Sequence, residues 1–107
     1  MTASKLQEII ATVRPNPNNW SFYENQIRDG AKKIFNETVS IKEPDLYPFA
    51  YATQIIDRGL GFSFMCNKFT NGRFRLYECL LVFVYQTFEG ENILVKIQKV
   101  EYNYDSE

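Results

Sequence analysis

Apolar and polar residues alternate through most of the second half of the chain, and turn-forming residues interrupt this alternation twice. Residues 62–67 follow the two-residue period of a strand, and Asn71 and Gly72 then form the dipeptide typical of a type I′ hairpin turn. Residues 73–88 continue as a long predicted strand, residues 89–92 form a second turn, and a final strand extends to about Tyr104. This half of the chain therefore predicts an antiparallel meander.

The two predicted turns also define a register, because residues on either side of a hairpin turn face each other across the strands. In that register Phe64 lies opposite Cys79, and Val84 lies opposite Ile97. The apolar residues of the last strand change faces partway along it, and the preceding strand changes with them. A bulge would produce such a change, but one strongly twisted and curved meander accounts for both strands, and we expect the latter.

The first half of the chain predicts two helices. The first lies near the N-terminus, where apolar residues follow the spacing of an amphipathic helix: Leu6, Ile9, Ile10 and Val13. The second is predicted over about residues 20–37, where apolar residues recur at helical spacing between charged ones. Gly30 within it costs about 1 kcal/mol relative to alanine, which predicts a close packing contact at that position. Residues 39–41 are expected to form a short strand at most.

The connection between the two halves is less regular. Two prolines predict a loop over residues 43–48. The stretch from Phe49 to Asp57 is ambiguous, since its alanines favour helix while Tyr51 and Thr53 favour strand. We favour the strand, because residues 57–61 have the composition of a hairpin turn.

Two helices followed by a curved antiparallel meander of about four strands predict an α+β fold of the cone-shaped, cystatin-like or NTF2-like class. A chain of 107 residues can bury a core without disulfides or a structural metal. We therefore expect a single domain over residues 1–107.

The composition narrows the chemistry that this chain can perform. It contains no histidine, which removes Ser-His-Asp and Cys-His catalysis and every histidine-ligated zinc site. Its formal net charge of −1 argues against nucleic acid as a partner, and we expect no metal and no cofactor. The sequence has no apolar run long enough to span a membrane and no signal-peptide pattern, so we expect a cytoplasmic location.

The chain contains two cysteines, Cys66 and Cys79. In the predicted register they share a sheet face but lie diagonally, with Cβ atoms about 7 Å apart. That separation is too large for an unstrained disulfide, so we expect two free thiols.

Glu78 lies within the most apolar stretch of the sequence and is the main candidate for acid–base chemistry. Burial would raise the pKa of its carboxyl group, which is the usual preparation of a general acid. The alternative is a structural glutamate paired with lysine or arginine, which we favour because no second catalytic group is visible beside it. An enzyme would have to combine Glu78 with Asp57 or Tyr77, and we expect a non-enzymatic protein.

Aromatic residues make up 16% of the chain, and several of them occur beside acidic residues near the C-terminus. Tyrosines provide large rigid contact area and carboxylates select a basic partner, so we expect a partner-binding surface formed by Tyr77, Glu101, Tyr102, Tyr104 and Asp105. The expected function is protein binding, with the chain acting as a stoichiometric inhibitor of the immunity-protein, antitoxin or anti-defence type. The alternative is a cone that encloses a small apolar ligand between the helices and the sheet.

Overall fold

A four-stranded antiparallel sheet forms most of the structure, a computed structural model that describes residues 13–70 and 76–100. Its strands follow each other in space as they do in sequence: β1 (Leu46–Ile56), β2 (Gly59–Thr70), β3 (Leu76–Gln86) and β4 (Asn92–Lys99). Within these residues one short α-helix, α1 (Asp29–Phe35), continues into a π-helical turn, Asn36–Ser40. The described part of the chain is therefore of the α+β or mostly-β class.

The turn between β1 and β2 shows why this part of the sequence forms a hairpin. Asp57 and Arg58 both have positive φ angles, 45° and 67°, as the two central residues of a type I′ turn require. Ile56 and Gly59 pair directly on either side of them. The prediction of a strand from Phe49 to Asp57 is confirmed, although the strand begins earlier, at Leu46.

The pairing of β2 with β3 differs from the predicted register. Phe64 lies opposite Val82 rather than Cys79, and Thr70 pairs with Leu76 at the end of the ladder. The predicted turn at Asn71 and Gly72 lies in residues 71–75, outside the described structure. The observed pairing of β3 is displaced from the predicted pairing by an odd number of residues. Side chains alternate between the two faces along a strand, so an odd displacement places them on the other face. For this reason the prediction that the two cysteines share a face is wrong.

The pairing of β3 with β4 contains an irregularity that the sequence analysis set aside. Val84 lies opposite Leu94, and Val82 lies opposite Ile97, so the predicted pair of Val84 with Ile97 is wrong. The register shifts between Phe83 and Val84, which places one extra residue of β4, Val95, between the paired positions. This β-bulge moves the apolar residues of β4 from one face to the other, which smooth twist was expected to do.

One face of the sheet packs against α1, and we call it the helix face. Its buried side chains alternate along the strands with the two-residue period, and they include Tyr51, Phe62, Phe64, Cys66, Leu80, Val82 and Val84. Phe35 of α1 meets Phe64 edge to face, with ring centroids 5.0 Å apart. Val39 of the π-helical turn is fully buried in the same cluster. The expectation of a strand at residues 39–41 is therefore wrong.

Helix α1 is much shorter than the helix predicted over residues 20–37. Residues 21–24 run alongside the outer edge of β1 instead, where the Glu24 and Tyr51 backbones exchange two hydrogen bonds of 2.9 and 3.0 Å. This pairing occupies the outer edge of β1 around Tyr51, and the α-helix is limited to Asp29–Phe35. Gly30 is exposed, and a Cβ placed there would have no neighbour within 4 Å, so the predicted close contact does not exist.

The opposite face carries Ser63, Leu81, Phe83 and Tyr85, and we call it the cleft face. The segment before α1 crosses it, with the Trp20 ring edge-on to Phe83 at a centroid distance of 5.9 Å. Gln54 is buried and exchanges two hydrogen bonds with the backbone of Asn16, of 3.0 and 3.1 Å. These contacts hold the segment on the sheet. The predicted N-terminal helix lies outside the described residues except for Val13, which is buried here.

Candidate functional site

Three large apolar side chains lie exposed at one end of the sheet. This turn end carries the turn between β1 and β2 and the turn between β3 and β4, because Leu60, next to the former, pairs with Gln86, next to the latter. The most exposed apolar side chains of the described residues include three at this end: Phe22 at 97%, Ile55 at 82% and Phe88 at 81%. We call these three residues the turn-end patch.

The backbone explains how the turn-end patch comes together. The Ser21 amide donates to the Thr53 carbonyl at 2.9 Å, which places Phe22 beside β1 near Ile55. Ile55 and Gln86 are separated by two inter-strand spacings, about 10 Å, and Phe88 follows Gln86 into the second turn. A patch of this extent fits within one side of an ordinary protein–protein contact.

Acidic groups predominate around the turn-end patch. The two turns supply the carboxylates of Asp57, Glu89 and Glu91 against one cation, Arg58. The ion pairs that Glu24 forms with Arg28 and Glu78 forms with Lys99 involve none of these four side chains. An apolar centre with a mostly acidic border complements a basic protein surface.

The cleft face contains an open cleft of about 600 Å³. Its apolar lining comes from Trp20, Leu81, Phe83 and Val95, and the chain segment of Val13 and its neighbours borders it. The remaining lining residues include polar and cationic ones: Arg14, Ser63, Lys96 and Gln98. The helix face, in contrast, is filled by buried side chains. The cleft therefore does not lie between the helix and the sheet, where the ligand cavity was expected.

The predicted partner-binding residues lie away from the turn end or outside the described structure. Glu101, Tyr102, Tyr104 and Asp105 fall outside the described residues. The backbone of Tyr77 pairs with that of Phe69 near the start of β3, at the end of the sheet opposite the turn end. The predicted C-terminal surface therefore stays a prediction.

Glu78 does not meet Asp57, one of the two residues proposed to act with it; the side chain of the other, Tyr77, lies outside the description. It lies opposite Lys68, and its Oε1 atom is 3.9 Å from Nζ of Lys99, so the structural alternative describes its environment. Asp57 lies in the turn at the far end of β2, about 30 Å away at about 3.3 Å per residue. No acid–base pair of Glu78 and Asp57 can form across that distance.

The two cysteines occupy different environments and are both free thiols. Cys66 is fully buried on the helix face, and burial, assisted by the neighbouring Cys79, raises the pKa of its thiol to about 12. Cys79 is half-buried and lies opposite Asn67, on the other face. A thiol with so high a pKa is protonated and unreactive near neutral pH, which identifies Cys66 as a packing residue.

The described residues contain no group of three or more His, Cys, Asp or Glu side chains that could hold a metal ion. Within those same residues no helix has both the length and the apolar character needed to cross a membrane.

The turn-end patch is the feature that the sequence analysis missed. The sequence places Ile55 in the strand predicted from Phe49 to Asp57 and Phe88 at the end of the strand predicted over residues 73–88, and neither assignment predicts an exposed side chain. The only sequence signal was the position of Ile55 and Phe88 next to acidic turns. Comparisons with protein-family models, with curated proteins and with solved structures found no match.

Proposed function

We propose that this chain is a non-enzymatic protein-binding module that inhibits another protein by forming a one-to-one complex, as immunity proteins, antitoxins and anti-defence factors do. The observation that carries the proposal is the turn-end patch, in which Phe22, Ile55 and Phe88 are each more than four-fifths exposed. Large apolar side chains that are exposed close together on a protein surface often mark a site of contact with another protein. We place this activity in the cytoplasm.

The acidic border gives the partner its chemistry. Asp57, Glu89 and Glu91 surround the patch, so the partner surface is expected to carry lysine or arginine around an apolar pocket. Charges at the rim of an interface mainly accelerate association, while apolar anchors at the centre mainly slow dissociation. The two kinds of residue should therefore affect different rate constants.

The first experiment identifies the partner and the contact surface together. A photo-crosslinking amino acid is introduced at Phe88, and in a matched chain at Ile41, which is 75% exposed near the opposite end of β1. The proposal predicts one crosslinked protein from position 88 and none from position 41. A third chain with the crosslinker at Tyr104 tests the predicted C-terminal surface. Crosslinks from position 104 alone would move the contact surface to the C-terminus.

The second experiment measures the complex with the purified partner. Phe88→Ala should increase the dissociation rate by about 5- to 30-fold, which corresponds to about 1 to 2 kcal/mol. Glu89→Lys should lower the association rate and weaken its salt dependence, and Ile41→Ala should leave both rates unchanged. Titration of the partner's own activity should reach its minimum at one equivalent. Wild-type kinetics for folded Phe88→Ala and Ile55→Ala variants would remove the turn-end patch from the interface.

A second candidate function, binding of a small apolar molecule, has one observation in its favour. The cleft of about 600 Å³ on the cleft face has a partly aromatic lining that includes Trp20 and Phe83. Such a volume is within the usual range of small-molecule sites. The cone-shaped, cystatin-like or NTF2-like alternative would hold its ligand between the helices and the sheet, whereas this cleft lies on the opposite face. Saturable binding of a hydrophobic probe that quenches Trp20 fluorescence would support a ligand site in the cleft.

A further inference from the structure

The β-bulge in β4 brings two consecutive side chains to the cleft. In a regular strand, neighbouring side chains point to opposite faces of the sheet. The register of β3 and β4 shifts after the pair of Phe83 with Lys96, and Val95 is the extra residue. Val95 and Lys96 both line the cleft as a result, which places an apolar side chain directly beside a cation. Bulges commonly redirect side chains in this way next to functional sites.

The charge of the cleft is positive. Its described lining includes two cations, Arg14 and Lys96, and no aspartate or glutamate. Lys96 lies opposite Phe83, and the β3 residues two positions before and after Phe83 are a leucine and a tyrosine. Among the described residues no ion pair involves Lys96. An anionic group therefore complements this part of the cleft, because it would meet a cation that no described carboxylate already neutralises.

The aromatic lining favours a flat ligand. The rings of Trp20 and Phe83 are both half-buried, lie at 90° to each other and have centroids 5.9 Å apart. A planar ring that stacks on one of them meets the other edge to face, so it makes both of the contacts that aromatic rings prefer. A flexible aliphatic chain makes neither contact. The pair of rings thus selects an aromatic body over an aliphatic one of similar size.

The two halves of the site lie within reach of one small molecule. Phe83 and Lys96 are directly opposite each other, and the Cβ atoms of such pairs are about 5 Å apart. Gln98 also lines the cleft, and its side-chain amide is a further donor about 7 Å along β4 from Lys96. Ser63 contributes less, because its hydroxyl is already hydrogen-bonded to that of Tyr23 at 2.8 Å. The charged end of a ligand is therefore expected at β4.

We propose that the cleft binds a small aromatic carboxylate, with its ring against Trp20 and Phe83 and its carboxylate at Lys96 and Gln98. The volume of about 600 Å³ is within the usual range of small-molecule sites. The proposal rests on the second candidate function, ligand binding in the cleft, and gives that ligand a charge and a shape. It does not depend on the turn-end patch, since the patch and the cleft involve different residues.

Trp20 reports binding in the cleft directly. It is the one tryptophan of the sequence, so its indole N–H gives a single cross-peak in a proton–nitrogen correlation spectrum of the full chain. The probes are 2-naphthoate and 2-naphthamide, which have the same rings and nearly the same size but differ in charge. Both should shift the Trp20 cross-peak, with dissociation constants of about 0.1 to 1 mM for the carboxylate. The carboxylate should bind about 5-fold more tightly than the amide.

One pair of variants tests the position of the carboxylate. Lys96→Gln should weaken binding of 2-naphthoate by about 3- to 5-fold and leave binding of 2-naphthamide unchanged. Lys99→Gln is the matched control, because it removes the same charge from the same strand. Lys99 lies opposite Leu80, which is buried on the helix face, so its substitution should leave both affinities unchanged. Octanoate has the same charge on an aliphatic chain and should bind more weakly than 2-naphthoate.

The possible failures are distinguishable. Equal affinities for 2-naphthoate and 2-naphthamide would overturn the anionic ligand while leaving a ligand site in the cleft. Equal losses in Lys96→Gln and Lys99→Gln would overturn the placement of the carboxylate, and tighter binding of octanoate would overturn the aromatic body. A Trp20 cross-peak that none of the three compounds shifts would overturn both this proposal and the second candidate function.

Discussion

Replacing Gln54 with leucine should loosen the attachment of the N-terminal segment to the sheet. The Gln54 side chain is buried, its Oε1 accepts from the Asn16 amide at 3.0 Å, and its Nε2 donates to the Asn16 carbonyl at 3.1 Å. Leucine has a similar volume and can form neither bond. Each such bond contributes about 0.5 to 1.5 kcal/mol, so the pair contributes about 1 to 3 kcal/mol.

The expected loss lies toward the lower end of that range. Asn16 is exposed, so water can bind its amide and carbonyl groups after the substitution. We therefore expect Gln54→Leu to lower the free energy of unfolding by about 1 to 2 kcal/mol. This is a substantial fraction of the total of about 5 to 15 kcal/mol that is usual for a domain.

Urea unfolding followed by Trp20 fluorescence measures this loss directly. With a slope of about 1.5 kcal/mol per M, the midpoint should fall by about 0.7 to 1.3 M. Gln26→Leu is the control, because Gln26 is exposed before α1 and its substitution should change stability by less than about 0.5 kcal/mol. Equal midpoints for Gln54→Leu and the wild type, at equal slopes, would refute the reasoning.

Two further predictions concern the interior of the sheet. Tyr85→Phe should destabilise the fold by about 1 kcal/mol in the same assay, because the Tyr85 hydroxyl donates to the buried Ile56 carbonyl at 2.9 Å. Iodoacetamide should alkylate Cys79 in the native protein and Cys66 only after unfolding, as mass spectrometry of the two peptides would show. The pKa of Cys66 rises from 9.0 to about 12 on folding, so the folded state holds its proton at higher pH and stability should fall as the pH rises from 9 toward 12. Cys66→Ala should flatten that decline, and an unchanged pH profile would contradict the burial assigned to Cys66.

The strands were predictable because the alternation of buried and exposed side chains along a strand is a local property of the sequence. Phe62, Phe64 and Cys66 point into one core, and this two-residue period is visible in the sequence without any knowledge of their partners. The register was not predictable from the same pattern. The register counted from a turn at Asn71 and Gly72 places Phe64 opposite Cys79, whereas Phe64 pairs with Val82. When one strand is displaced by an odd number of residues relative to its partner, its side chains lie on the opposite face of the sheet from the one predicted.

The prediction of a helix over residues 20–37 was wrong for a different reason. Tyr23 and Ile27 have helical spacing, but the backbone around Glu24 forms hydrogen bonds with the edge of β1 instead. Such pairing depends on a strand more than twenty residues later in the sequence, so a local period cannot reveal it. The turn-end patch was missed for a similar reason, since the exposure of Ile55 and Phe88 depends on which distant parts of the chain pack against them, and a local pattern does not contain that information.

The two outer strands of the sheet determine how this protein behaves at high concentration. An unprotected outer strand can pair with the same strand of another molecule and start a growing aggregate. Hydrogen bonds from Ser21 and Glu24 occupy the middle of the outer edge of β1, at Thr53 and Tyr51. Strand β4 combines a bulge with the exposed side chains of Lys96 and Lys99. Bulges and lysines both hinder the approach of a further strand. The described sheet is therefore a poor template for self-assembly, and concentrated solutions of the folded protein should resist fibril growth.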